Sequence, residues 1–108
     1  MVVYVENTEE WNKIANLHLE NNSILVVCFS AIWCGPCKAL KSKYEQLDTE
    51  YDDRVVFLKI DIDKCEEVAE KFNIASVPTT LVIKKCAVKD TVVGADILGI
   101  KIAIDKNL

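Results

Sequence analysis

Two thiols two residues apart, Cys34 and Cys37 in Trp33-Cys34-Gly35-Pro36-Cys37-Lys38, are the residues whose types and spacing most directly suggest chemistry. A pair this close can close a small disulfide ring, so one segment can carry two electrons as a dithiol or give them up as a disulfide. The other use of paired cysteines is half of a zinc site, which needs four ligands. The remaining residues of suitable type, Cys65, Cys86 and His18, are scattered along the chain. Redox chemistry is therefore the stronger reading, and no metal is expected.

The elements around the pair decide which thiol attacks. Ile24 to Ser30 is an apolar run that reads as a strand covered on both faces. From Lys38 to Tyr51 the side chains of Leu40, Tyr44, Leu47 and Tyr51 return to one face of a helix. Cys34 then stands where a strand hands over to a helix N-terminus, where free backbone N–H groups and the helix dipole favour a thiolate. The thiolate is the nucleophile in disulfide exchange, which makes Cys34 the attacking sulfur. Pro36 suits the first helical turn, where its missing N–H costs little.

The rest of the chain reads as a frame for that handover. Val2 to Val5 is a first strand. Asn7 and Glu10 form a capping box for a helix carrying Trp11, Ile14, Ala15 and Leu17, expected to end near Asn21-Asn22. Val55 to Ile60 is a strand after an Asp52-Asp53 turn. Asp63 to Glu66 reads as a second capping box, opening a short helix with Val68, Ala69 and Phe72 that leaves at Asn73. Thr79 to Ile83 and Val88 to Val93 are strands whose short connection, Lys84 to Ala87, allows only an antiparallel hairpin. Asp96 caps a last helix with Ile97, Ile100 and Ile104 on one face, and Gly99 inside it costs about 1 kcal/mol relative to alanine. The order βαβαβαββα predicts an α/β fold: a central mixed five-stranded sheet with helices on both faces.

Composition bounds the function. The 108 residues are expected to form one domain, residues 1–108, with 51% hydrophobic and 28% charged residues and a net charge of −4. No basic run suggests nucleic-acid binding, and no apolar run approaches the ~20 residues of a membrane helix. Met1 to Glu6 lacks the basic start and cleavage site of a signal peptide. Five cysteines is an odd number for a secreted disulfide framework, so a reducing, cytoplasmic setting is expected.

The stretch Ser30-Ala-Ile-Trp-Cys-Gly-Pro-Cys-Lys38 resembles the active site of the thioredoxin family. The resemblance extends over nearly the whole chain, through Phe57-Leu-Lys-Ile-Asp-Ile-Asp63, Ser76-Val-Pro-Thr79 and Val93-Gly94-Ala95. It implies the thioredoxin fold and a protein-disulfide reductase and dithiol electron carrier. Cys34 would attack a substrate disulfide and Cys37 would resolve the mixed disulfide. Pro78, which alone reads as a strand-entry proline, would follow a cis bond and pack against the thiols. Trp33, Ile32, Gly35, Pro36, Val77, Gly94 and Ala95 would form an apolar rim for protein substrates, although Gly94 alone reads as a turn glycine. No bound cofactor is implied, since NADPH and FAD would act through the partner thioredoxin reductase. The other implied partners are disulfide-containing proteins such as peroxiredoxins, met by a monomer.

Several positions depart from the family pattern. Cys28 stands where the family usually has a buried aspartate that relays the proton of the resolving cysteine, and Lys59 stands at the position of that aspartate's partner. Cys28 reads first as a small buried hydrophobe; the sharper reading is that it ionises against Lys59 and takes over the relay. Ser42 replaces a helix-kinking proline, implying a straighter helix. Cys86 replaces a hairpin glycine, implying strain if the turn needs a positive φ. Cys65 reads as a packing residue; resemblance to animal-type members adds a possible regulatory role. His18 reads as a helix-face residue, Asp61 as a strand-end charge and Asp63 as a helix cap. The missing aspartate also keeps open an alternative, a redox-switched binding module with weak turnover.

Overall fold

The computed structural model describes residues 1–18 and 21–108. Its elements are β1 (Val3–Val5), α1 (Thr8–Leu17), β2 (Ile24–Ser30), α2 (Gly35–Asp48), β3 (Val55–Asp61), α3 (Glu66–Lys71), β4 (Thr79–Lys84), β5 (Ala87–Val93) and α4 (Ile97–Asn107). They form one five-stranded sheet in the order β1-β3-β2-β4-β5. β3 pairs in parallel with β1 and β2, while β4 runs antiparallel to β2 and β5. The expected βαβαβαββα order and mixed sheet are both present.

β2 is buried along its whole length because it lies between β3 and β4 with helices on both faces. Its period-2 alternation splits the core. Ile24, Val26 and Cys28 face a cluster with Leu40, Tyr44 and Leu47 of α2 and Ile100 and Ile104 of α4. Leu25, Val27 and Phe29 face Trp11 of α1 and Val68 of α3, with Phe72 packed alongside. Each fully buried Leu, Ile or Phe contributes about 1.5–3 kcal/mol relative to exposure, so these two clusters hold the helices to the sheet. Tyr44 adds a directional tie. Its buried hydroxyl lies 2.9 Å from the Val26 carbonyl and 2.7 Å from that of Leu58, and donates its one proton between β2 and β3.

The ends of elements differ from expectation for local reasons. At α1 the Glu10 N–H donates to the Asn7 side chain (2.9 Å), but the Glu10 carboxylate accepts from the Glu6 N–H (3.0 Å), not from Asn7. α1 closes at Leu17, where the His18 N–H reaches the Ile14 and Ala15 carbonyls, earlier than Asn21-Asn22. Asn21 instead accepts from the Ser23 N–H at 2.9 Å, a local turn bond that competes with helix; the Leu19-Glu20 part of that expectation lies outside the described residues. α2 starts at Gly35 rather than Lys38 and runs unbroken through Ser42. Thr49, Glu50 and Tyr51 donate to carbonyls three residues back, so the helix tightens and ends, yet Tyr51 still packs on Phe57.

The second capping box is a correction. Cys65, not Asp63, is the N-cap of α3, and it makes no side-chain cap bond. Asp61 turns the chain instead, accepting the Asp63 N–H on its carboxylate (2.8 Å) and the Lys64 and Cys65 N–H groups on its carbonyl. The exit at Asn73 holds: its φ is 55°, and the Asn73 and Ile74 N–H groups reach Glu70 and Ala69, a left-handed helix stop. β4 and β5 are longer than expected, leaving only Lys85-Cys86 between them at φ of 51° and 65°. A two-residue hairpin turn demands positive φ at both positions, so the strain expected at Cys86 is present and Lys85 shares it. At α4 the Asp96 carboxylate accepts the Gly99 N–H at 2.9 Å, and a Cβ at Gly99 would run into that carboxylate.

Candidate active site at a strand-to-helix handover

β2 ends at Ser30, Ala31 to Trp33 make the turn, and Cys34 is the N-cap of α2. The chain turns there because the Cys34 N–H donates to the Ala31 carbonyl (3.2 Å) while its own carbonyl starts the helix by accepting from Lys38 (3.3 Å). Pro36 occupies the first turn, where no N–H is required. One helical turn brings the Cys37 backbone round to Cys34, with Cα atoms 5.3 Å apart and the two sulfurs joined in a disulfide.

Exposure does not distinguish the two cysteines, at 5% for Cys34 and 4% for Cys37. Hydrogen bonding does. The Cys37 N–H points at the Cys34 sulfur, 3.2 Å away, at the positive end of α2. An N–H donor and a helix N-terminus both favour negative charge on that atom, so the Cys34 sulfur is the one set up to leave or attack as a thiolate. The same sulfur lies 3.7 Å from the Val77 carbonyl oxygen. The Val77-Pro78 bond is cis, as the resemblance implies, and Ala31, Cys34 and Cys37 form a small cluster against Val77 and Ile62.

Most of the expected rim converges on this point. Ile32 and Trp33 are exposed, Gly35, Pro36 and Ala95 lie at the surface, and Val77 and Gly94 are half-buried. Gly94 has φ of +93°, a conformation that favours glycine, and its N–H donates to the Pro78 carbonyl at 2.8 Å. That bond ties the end of β5 to the Val77-Pro78 turn. Trp33 is held at the surface: its indole N–H donates to the Asp63 carboxylate at 2.9 Å. Sequence reading assigned Asp63 to a helix cap because the local pattern fits one; a partner 30 residues away leaves no local signal.

Cys28 and Lys59 are side by side in the β2–β3 register, and Thr80 of β4 lies opposite Cys28 on the other side. Burial pushes the Cys28 thiol up, and the Thr80 hydroxyl and Lys59 ammonium only partly counter it. The Thr80 hydroxyl is fully buried without a well-formed hydrogen bond of its own. Cys28 therefore behaves as a buried neutral group, the first of its two readings. Lys59 turns its ammonium toward the Tyr4 ring, 5.8 Å from its centroid. It lines a cleft of about 310 Å³ that also has Cys37 on its wall.

Cys65 is not part of the site. It is buried in the cluster on the other side of the sheet, 3.7 Å from the Val5 carbonyl, with its thiol pushed up by burial first and by the nearby acidic groups. Cys86 lies in the β4–β5 turn, and His18 caps α1. Among the described residues no cluster of His, Cys, Asp and Glu could hold a metal ion, and no helix is long and apolar enough to cross a membrane.

Comparison with known proteins agrees with this geometry. The family model described as Thioredoxin matches residues 2–105. The chain is 39% identical over 106 residues to Thioredoxin 1 of Plasmodium falciparum, covering 98% of this chain and 97% of that one. It is 39% identical over 89 residues to a thioredoxin of Echinococcus granulosus, covering 82% of each. The crystal structure of a thioredoxin from Nicotiana alata superposes with a TM-score of 0.94 at 32% identity, over 98% of this chain and 91% of that one.

Proposed function

The chain belongs to the thioredoxin family and is a protein-disulfide oxidoreductase; from that premise we propose how its own residues carry the reaction and in what setting. The Cys34 thiolate attacks one sulfur of a substrate disulfide, forming a mixed disulfide and expelling the other substrate sulfur as a thiolate. Cys37 then loses its proton and attacks Cys34, which closes the Cys34–Cys37 bond and releases the substrate as a dithiol. Two electrons pass to the substrate, and two protons end on its sulfurs. The observation that supports this assignment is the Cys37 N–H directed at the Cys34 sulfur at the N-cap of α2.

Trp33, Val77, Gly94 and Ala95 receive the substrate chain, with Val77 offering its backbone. Gly35, Pro36 and Pro78 shape the site, and Cys28 and Lys59 set the polarity beneath it. A thioredoxin reductase drawing on NADPH and FAD returns the disulfide to the dithiol, so the chain serves electron transport with no bound cofactor of its own. Its substrates are disulfide-containing proteins such as peroxiredoxins, and its setting is the cytoplasm. The neutral Cys28 favours a second reading, a redox-switched binding module whose turnover is weak because Cys28 stands where the family's buried aspartate would take up the proton of Cys37.

The test is a trap. With a protein disulfide as substrate, Cys37→Ser should accumulate a covalent adduct at Cys34, visible by mass spectrometry and released by dithiothreitol. Cys34→Ser should form none. An adduct on Cys37 in the Cys34→Ser variant, formed as fast as the other, would reverse the roles.

A further inference from the structure

We propose that the cleft beside Cys37 takes an acidic side chain of the substrate, so that disulfides flanked by carboxylates are reduced in preference to neutral ones. The proposal rests on the disulfide-reductase reading and adds a substrate class to it. The cleft, of about 310 Å³, runs from the first turns of α2 to β1 and β3 and is roomy enough for an aspartate or glutamate side chain. Lys38, Lys41, Lys59 and Lys64 line it, in a chain whose net charge is −4. Only Lys64, among the described residues, is engaged there by a carboxylate, that of Glu6 at 2.9 Å. Among the described residues Lys38, Lys41 and Lys59 make no ion pair, and Lys59 is half-buried against Tyr4.

The cleft's two acidic walls are already occupied. Glu6 holds Lys64, and the Asp61 carboxylate accepts the Asp63 N–H. The acidic groups of the opposite flank are engaged too: Asp63 holds the Trp33 indole and Asp96 caps α4. These hydrogen bonds leave the carboxylates charged, but the cleft itself is lined by four lysines against Glu6 and Asp61, so its net charge is positive, on the wall it shares with Cys37. A carboxylate entering here would meet three ammonium groups, those of Lys38 and Lys41 on exposed side chains and that of Lys59 on a half-buried one. It would be drawn to the same wall that carries the resolving thiol while its disulfide reaches Cys34. The rest of the chain, which leaves the whole at a net charge of −4, would repel it, so the effect is local steering of one class of substrate.

The experiment mixes the pre-reduced full chain with two peptides of equal length, each closed by one disulfide, flanked by aspartates in one and asparagines in the other. Single-turnover reduction is followed by tryptophan fluorescence. The aspartate peptide should react about fivefold faster at low salt, and the ratio should shrink as sodium chloride approaches about 0.5 M, where screening is nearly complete. In Lys38→Gln with Lys41→Gln the ratio should fall toward one while the asparagine peptide keeps its rate, and Lys41→Glu should invert the preference. Equal rates for both peptides with the unaltered chain would overturn the proposal and leave the reductase reading standing. A preference that survives both salt and the double substitution would overturn it as well. Reduction of neither peptide would sink the reductase reading and the proposal with it.

Discussion

Cys28 concentrates the residue-scale physics of this chain. Its thiol is buried between Lys59 and Thr80 and stays neutral because burial outweighs the pull of the ammonium. Cys28→Asp would put a carboxylate in the same place. We expect this variant to lose about 2–4 kcal/mol in a urea melt at neutral pH, since a carboxylate with one imperfect partner loses more hydration than it regains. If proton removal from Cys37 limits the reaction, the same variant should turn over faster. A variant that is both more stable and no faster would contradict both expectations. Asp63→Ala tests the exposed partner of Trp33: freeing the exposed Trp33 ring should raise KM for a protein disulfide several-fold with little change in Tm, because the lost bond lies at the surface. The sequence made Cys34 and Cys37 legible because their chemistry is written in adjacent residue types. It hid the role of Asp63 because that role depends on a contact across the fold.

At the scale of elements, α2 carries the site, and its seating depends on Tyr44. Tyr44→Phe removes the hydroxyl between the Val26 and Leu58 carbonyls. We predict a loss of about 1–2 kcal/mol in a denaturant melt, with the disulfide chemistry retained. The β4–β5 turn offers the opposite sign. Lys85 and Cys86 both hold positive φ, so Lys85→Asn with Cys86→Gly should raise stability by about 1 kcal/mol and leave turnover unchanged. The strands and helices themselves were readable, since β2 is continuously apolar and α2 shows helical spacing of Leu40, Tyr44 and Leu47. Their ends were not. The side chains of Asn21, Asp61 and Glu10 each accept from one backbone N–H, and which N–H that is follows from the path of the chain rather than from local pattern.

For the molecule as a whole, the two core clusters share one sheet, so the chain should unfold in a single cooperative step. Circular dichroism and the fluorescence of Trp11, in the core, and Trp33, at the site, should give coincident urea transitions. Stability should also fall in alkali. The fold raises the Cys28, Cys65 and Tyr44 groups by burial first and pushes Tyr4 up to about 12, through burial and then Glu45. These groups contribute fully while the unfolded chain also keeps its protons, below about pH 8. Above that the unfolded chain releases protons that the fold still holds, so stability drains away as pH rises toward the folded values. The urea midpoint should therefore be lower at about pH 10.5 than at about pH 8; an unchanged midpoint would contradict the assignment. The central claim is that Cys34 and Cys37 cycle rather than merely capture. Its most direct test is steady-state reduction of a protein disulfide in the presence of thioredoxin reductase and NADPH, counting NADPH consumed per chain. Many equivalents per chain, abolished by Cys34→Ser, are predicted. Consumption that stops at about one equivalent, with the chain held in a mixed disulfide, would contradict it and leave a redox-switched binding module in its place.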